Sequence, residues 1–179
     1  MVLEWLLTAF IAWGIHKRGL RLRDLIRGSW QRWTSVLRDL GLAVLFLMVA
    51  NVILGMVAYS LKAKPGLGAR NLIPHSPSET VVYLLLTVTA GICEEIIFRG
   101  YLQRQFSALT RSPAAGLILQ AAVFGIAHGY QGPKFMFIIA VFGSMFGLLV
   151  AWRRSLRPAM AAHFLQDAVI GLLTAHFLK

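Results

Sequence analysis

Ionisable side chains occur at three points inside otherwise apolar runs of this sequence. The first is GICEEIIFRG (residues 91–100), the second is FGIAH (124–128) and the third is HFLQD (163–167). An ionised group at the centre of a bilayer costs roughly 2.5 to more than 10 kcal/mol, so such residues are usually functional. Carboxylates and imidazoles are also the commonest general acids and bases. The candidate residues are Glu94, Glu95, Arg99, His128, His163 and Asp167.

Helical spacing divides the first cluster into two parts. Glu95 and Arg99 are four residues apart with the acid N-terminal, which is the favourable orientation for an ion pair on a helix. Glu94 points about 100° away from Glu95 and lacks that partner. We therefore interpret Glu94 as the catalytic candidate and the pair as its support. A purely structural role for the pair is the alternative.

The two later motifs each place an imidazole one helical turn from another informative residue. Phe124 and His128 share a face, and so do His163 and Asp167. Asp167 is predicted to accept the His163 ring N–H and fix its tautomer, or to act as a ligand itself. For His128 alone, a hydrogen bond between helices is the competing interpretation.

Counting along the chain predicts which of these groups meet. Glu94 and His128 each lie 17 positions from residue 111, where a helical hairpin is expected, so they should return to the same depth on neighbouring helices. His163 lies only six positions after residue 157, and it reaches that depth only if the hairpin projects towards the inner surface. His16, His75 and His176 lie in or near loops and are predicted to be interfacial.

The elements that must position these groups are transmembrane helices. The chain has 58% hydrophobic and 14% charged residues, against about 25% charged for a soluble domain, and its mean hydropathy is +0.68. These values predict an all-α, polytopic transmembrane bundle of about six spans with an active site within the membrane. The predicted spans are 1–15, 40–61, 79–109, 113–128, 135–152 and 158–178, with Ser78 as the N-cap of the third.

The net charge and the single cysteine further restrict the class of protein. The net charge is +11, but the basic residues lie in loops between apolar runs, which argues against nucleic-acid binding. The predicted inner loops hold 13 basic residues and the outer ones 5, which predicts a multi-pass protein of the cell (inner) membrane with loop 16–38 cytoplasmic. Cys93 is a possible thiol nucleophile, although a buried free cysteine usually behaves as a small hydrophobe.

The three motifs, in this order, resemble those of a known family. EEIIFR, FGIAH and HFLQD match the EExxxR, FxxxH and HxxxN or HxxxD motifs of the CAAX-protease and bacteriocin-processing (CPBP, or Abi) family of intramembrane endopeptidases. The resemblance covers roughly residues 80–173. It divides the chain into residues 1–78, with an anchor helix, a basic loop, a second span and an outer loop, and residues 79–179, a catalytic four-helix core.

The resemblance implies hydrolysis of a peptide bond in a membrane-associated peptide or protein. Glu94 would activate a water molecule, and His128 and His163 would stabilise the oxyanion with help from Asp167. Glu95, Arg99 and Phe124 would support them.

Family members have been described both as metalloproteases and as glutamate-dependent proteases. Glu94, His128 and His163 could instead bind Zn²⁺ with a fourth position open for water. No HExxH occurs, however, and the three residues belong to three separate helices, which favours chemistry without a metal.

Two other functions remain open from the residues alone. Carboxylates and histidines inside membranes also mark ion and proton pathways, so the chain could be a transporter. Transporters usually contain internal repeats with matching broken helices, and this sequence shows neither. The third possibility is a non-catalytic membrane protein, for immunity or scaffolding, in which the motifs only hold helices together.

Overall fold

The structure is a computed structural model, and it describes residues 1–63 and 72–177. Within these ranges the regular structure is entirely helical, and the prediction of an all-α membrane bundle is confirmed. One continuous helix from Pro77 to Thr110 contains a π-helical segment, Glu95–Leu102, between α4 and α5. The α-helices are α1 (Val2–His16), α2 (Leu22–Ile26), α3 (Trp33–Ser60), α4 (Pro77–Glu94), α5 (Gln103–Thr110), α6 (Pro113–Ala127), α7 (Pro133–Arg153) and α8 (Arg157–Phe177).

Proline fixes the start of three of these helices. Pro77, Pro113 and Pro133 each occupy the first turn, where a missing N–H costs nothing and the proline φ angle suits a helix. The predicted N-cap at Ser78 is wrong. Ser76 caps α4 by accepting a 3.2 Å hydrogen bond from the Glu79 N–H, because the cap must precede the proline.

Three helices of the described ranges are long and apolar enough to cross a membrane. They are α3, the continuous helix Pro77–Thr110, and α7. Helices α1 and α6 are apolar but have 15 residues each, about 22 Å at 1.5 Å per residue, which is shorter than a typical hydrocarbon core. The figure of six crossings stays a prediction. Much of the predicted outer loop 62–78, namely residues 64–71, lies outside the described residues.

The basic segment 16–38 is not a plain loop, and this part of the prediction is corrected. Helix α2 forms within it, and α3 begins at Trp33, so Arg38 is helical. The reason is that residues 33–38, which precede the apolar run, belong to the same helix as that run. The segment also folds against the end of the bundle, where its Leu25 side chain is buried.

Hydrogen bonds to main-chain carbonyls hold the basic segment in place. Arg104 donates to the Leu25 carbonyl at 2.9 Å. The Leu156 N–H, in the turn between α7 and α8, donates to the Ile26 carbonyl at 2.8 Å. Arg157 donates to the Arg27 carbonyl at 3.1 Å. The segment therefore closes the end of the bundle at which α5, α7 and α8 meet.

The two N-terminal membrane helices are attached to the rest of the bundle by polar contacts. Trp5 of α1 donates its indole N–H to Thr89 of α4 at 3.3 Å. Asn51 of α3 and Gln166 of α8 exchange two amide hydrogen bonds, each 2.9 Å long. Polar pairs of this kind join helices in an apolar medium, where the apolar contact alone discriminates poorly.

Gly125 sets the close approach of α6 and α7, and its substitution gives a testable prediction. A Cβ there would overlap the Met136 carbonyl and lie 2.8 Å from the Ala140 Cβ. Gly125→Ala is therefore expected to destabilise the protein by about 1–3 kcal/mol, measured by thermal unfolding in detergent. Gly41→Ala is the matched control, since nothing lies within 4 Å of its Cβ, and it should be neutral or slightly stabilising. Equal effects of the two changes would contradict the packing argument.

Candidate active site

A buried ion pair lies at the centre of the bundle, in the π-helical segment. Arg99 Nη1 is 2.8 Å from Glu95 Oε1, and both side chains are fully buried. This confirms the pairing predicted from their spacing. π-Helical turns are rare and occur frequently at functional sites, and no sequence pattern indicated this one.

Aromatic rings enclose the Arg99 guanidinium. Its central carbon lies 4.1 Å from the centroid of the Phe124 ring and 5.0 Å from that of Phe146. A cation over aromatic faces is attracted by their quadrupoles, most strongly when water is excluded. Phe124, which was predicted to share a face with His128 and to support the site, therefore also contacts the Arg99 guanidinium.

Two glycines of α7 present main-chain carbonyls to buried side chains, and sequence analysis missed this arrangement. The Gly143 carbonyl accepts from Gln120 at 3.0 Å and from Arg99 at 3.4 Å. The Gly147 carbonyl accepts from Gln103 at 3.3 Å. A Cβ at Gly143 would lie 2.9 Å from the Phe124 ring. The available signal was the spacing of the two glycines in an apolar span, which marks close helix packing.

His163 connects the ion pair to the other acids. Its Nδ1 is 2.8 Å from Glu95 Oε1, and its Nε2 is 3.7 Å from Glu94 Oε2 and 3.6 Å from Asp167 Oδ2. The acceptor of the His163 ring N–H is therefore Glu95, 68 positions away in sequence, and not Asp167 as the spacing predicted. Because an ionised carboxylate can only accept, Nδ1 carries the hydrogen, and Nε2 faces Glu94 and Asp167.

Glu94 differs from its neighbour in both burial and partners. Its side chain is 16% exposed, whereas that of Glu95 is fully buried. In the part of the chain that the structure describes, Glu94 Oε2 is buried without a hydrogen-bond partner. The two glutamates therefore differ as the spacing predicted. Glu95 Oε1 accepts hydrogen bonds from Arg99 and His163, whereas Glu94 is not paired with Arg99.

His128 ends α6 beside the same cluster. Its Nδ1 is 2.8 Å from the Phe124 carbonyl oxygen, so Nδ1 is again the donor and Nε2 is left free. The Phe124 ring lies between the two imidazoles, 4.7 Å from His128 and 6.1 Å from His163 by centroids.

The hairpin register agrees with the counting argument. Phe98 and Phe124 contact each other edge to face at 4.9 Å. They are each 13 positions from residue 111, the same centre about which Glu94 and His128 are symmetric. The same register predicts that Glu94 and His128 lie at matching levels. The histidine in direct contact with the glutamates, however, is His163.

The remaining ionisable candidates lie away from this cluster. Cys93 is fully buried in the apolar core, as expected for a small hydrophobe. His16, His75 and His176 are exposed, and their interfacial position stays a prediction.

Glu94, His128 and His163 do not form a metal site as placed. Among residues 1–63 and 72–177, no group of three or more His, Cys, Asp or Glu side chains is arranged to hold a metal ion. A catalytic zinc site needs three protein ligands at about 2.0–2.2 Å from one point. The predicted ligand set therefore does not fit a site of that kind, and no step proposed below passes through a metal.

These features define the class of protein. It is an all-helical membrane protein in which a buried Arg99–Glu95–His163 chain lies next to the Glu94 carboxylate and a second imidazole. The family model described as type II CAAX prenyl endopeptidase, Rce1-like, matches residues 76–169, which is more than half of the chain. The chain belongs to this family, and it is a CAAX-type intramembrane protease by class. No curated protein and no solved structure matches it.

Proposed function

We propose that this protein hydrolyses a peptide bond of a membrane-associated protein or peptide with Glu94 as general base. The observation that carries the proposal is the contrast between the two glutamates. Glu95 accepts from Arg99 and His163 through Oε1. Glu94 Oε2 lies 3.7 Å from His163 Nε2 and, like Glu95 Oε2, is buried without a hydrogen-bond partner among the described residues. A carboxylate that is free to take a proton, next to an imidazole, suits general base catalysis.

The reaction follows from these positions. Glu94 takes a proton from a water molecule as the water oxygen attacks the scissile carbonyl carbon, and the carbonyl oxygen acquires the negative charge. His163 and His128 act as imidazolium ions, with a hydrogen on both ring nitrogens, and donate from Nε2 to this oxyanion. Asp167 assists by its position 3.6 Å from His163 Nε2. The carbon–nitrogen bond then breaks, and Glu94 passes its proton to the leaving nitrogen. The carbonyl re-forms as this bond breaks, and the new carboxylic acid gives its remaining proton to the amine, so that the products are a carboxylate and an ammonium group.

The Glu95–Arg99 pair has a positioning role in this proposal. Glu95 accepts from His163 Nδ1, which orients the ring and stabilises its positive form when Nε2 donates to the oxyanion. Arg99 in turn holds Glu95, and Gly143, Phe124 and Phe146 hold Arg99.

We assign the catalytic core to residues 79–179 and a supporting role to residues 1–78. All the proposed site residues belong to the first of these ranges. Residues 1–78 support the core through the Trp5–Thr89 and Asn51–Gln166 contacts and through the basic segment that closes one end of the bundle.

The proposed orientation in the cell (inner) membrane places segment 16–38 and the turn at residues 153–157 in the cytoplasm. The reason is the excess of basic residues in the predicted inner segments, 12 without the buried Arg99, against 5 in the predicted outer segments. Single cysteines introduced at exposed positions 20–32 in a Cys93→Ala background should react with an impermeant maleimide only after the cells are opened. Labelling in intact cells would reverse the orientation.

Chelation tests the assignment of Glu94 as the base without a metal. Peptidase activity of the purified protein is expected to survive exhaustive treatment with a strong chelator, because water activation rests on a carboxylate. Loss of activity that returns on addition of Zn²⁺ would contradict this assignment. Recovery with Mg²⁺ but not Zn²⁺ would point to a requirement of the substrate or the lipid.

The substrate and the function are tested together in cells. The C-terminal peptides of membrane proteins are compared between cells with the wild-type chain and cells with Glu94→Ala. Peptides shortened only in the wild type identify substrates. Identical peptide sets would contradict proteolysis, and ion flux in proteoliposomes without proteolysis would support a transporter instead. A phenotype that survives loss of Glu94, His128 and His163 together would indicate a non-catalytic protein.

A further inference from the structure

An apolar groove runs between α3 and α7 on the surface of the bundle, and none of the proposed catalytic residues lines it. It has a volume of about 380 Å³, and several of its side chains are half or more exposed, such as Leu45, Val49 and Leu148. Its floor contains Phe46, which packs on Phe142 and Phe146 at 6.2 and 4.9 Å between centroids. The lining residues are Leu42, Leu45, Phe46, Val49, Met145, Leu148, Leu149 and Trp152.

One end of this groove is marked by charge. The helices are antiparallel, so that Asp39 of α3 lies beside Arg153 of α7. Asp39 is about one turn before the groove-lining Leu42, and Arg153 directly follows the groove-lining Trp152. Asp39 is buried and contacts Arg38 at 3.1 Å and Arg153 at 3.7 Å. Two arginines against one acid leave positive charge at this end.

The two arginines retain capacity for a further anionic partner. The Arg38 side chain is 55% exposed. Arg153 Nε is buried without a hydrogen-bond partner in the described ranges, and its guanidinium stacks 5.4 Å from the Trp152 ring. Trp30 lies close by and donates to Asp39 at 2.9 Å. Tryptophan beside arginine is typical of the headgroup level of a membrane.

We propose that this groove is a binding site for an anionic phospholipid. One acyl chain lies along the apolar groove, and the phosphate contacts Arg38 and Arg153. The apolar groove fits the acyl chain, and its cationic end fits the phosphate. Basic pockets beside transmembrane helices bind anionic headgroups in this way. The inference is independent of the proposed reaction, because it uses none of the proposed catalytic residues.

The experiment titrates the purified full-length protein in a neutral detergent with phosphatidylglycerol or phosphatidylcholine of identical acyl chains, and it counts bound lipid by native mass spectrometry. Phosphatidylglycerol should bind at least about tenfold more tightly. In Arg38→Gln/Arg153→Gln this preference should fall to near one, because each arginine near a headgroup contributes about a fivefold preference. Arg18→Gln/Arg23→Gln is the matched control, since it removes the same charge at exposed positions of the basic segment.

A second variant tests the groove without touching Asp39. Leu45→Trp fills the groove and should weaken binding of both lipids by at least about tenfold. Met48→Trp is its control, because Met48 is 65% exposed on the same helix and is not among the lining residues. A phosphatidylglycerol with brominated chains should quench wild-type fluorescence more than that of Trp152→Phe, in which the indole at the groove is missing.

Four results would overturn the proposal. They are equal binding of the two lipids, equal loss in the Arg18/Arg23 control, wild-type binding by Leu45→Trp, and full displacement of the lipid by millimolar inorganic phosphate. The third would place the acyl chain elsewhere, and the fourth would make the arginines a site for free phosphate. If the double arginine variant does not fold, Leu45→Trp and the quenching comparison decide.

Discussion

Glu94→Gln is expected to lower peptidase activity by about 10²–10⁴-fold, the usual contribution of a general base. Glutamine has the same shape as glutamate but cannot take a proton from water. Because Glu94 Oε2 has no hydrogen-bond partner among the described residues, the change breaks no contact of that oxygen, and the unfolding temperature should stay within a few degrees. The loss should appear in kcat more than in KM, since the substrate and its transition state differ in their need for the base.

Glu79→Gln is the matched control for this experiment. Glu79 lies on the same continuous helix but is exposed in its first turn, where it accepts from the His75 N–H at 2.8 Å. The same substitution there should leave kcat unchanged. A Glu94→Gln enzyme with near wild-type kcat would show that another group activates the water, and Asp167, 3.6 Å from His163 Nε2, would then be the next candidate.

The parts of the site that sequence analysis predicted are those that depend on local geometry. The Glu95–Arg99 pair could be predicted because side chains four residues apart are neighbours on a helix. The register of the helical hairpin could be predicted by counting residues in both directions from residue 111, and the Phe98–Phe124 contact agrees with that count. The start of α6 at Pro113 was predicted correctly, because proline favours the first turn of a helix. The starts of α4 and α7 were each predicted two residues too late, although Pro77 and Pro133 carry the same signal.

The parts that it missed depend on contacts between distant segments. Asp167 is one turn from His163, so spacing favoured it as the acceptor. Glu95 takes that place because the packing of α8 against the Glu95 segment brings Glu95 to 2.8 Å from the ring. The Asn51–Gln166 pair likewise joins residues 115 positions apart. An interval along one helix carries no information about which face of another helix meets it.

Removal of Arg99 alone is expected to have the largest effect on stability. In Arg99→Met the Glu95 carboxylate, which is fully buried, loses its cationic partner, and breaking a buried pair by removing one member costs about 3–5 kcal/mol. Thermal unfolding in detergent measures the loss. Arg104→Met is the control, because Arg104 lies nearby on the same continuous helix but donates only to main-chain carbonyls of the basic segment. It should cost less than half as much.

A second substitution separates stability from catalysis. In Glu95→Gln/Arg99→Met both charges of the pair are removed, and the glutamine oxygen can still accept from His163 Nδ1, so most of the stability should return. Activity should nevertheless stay about 10–100-fold below wild type, the usual effect of removing a group that orients and charges a reactive histidine. A double variant no more stable than Arg99→Met would mean that Arg99 acts through its packing between Phe124 and Phe146. A stable and fully active one would mean that His163 needs an acceptor at Nδ1 but not a negative charge.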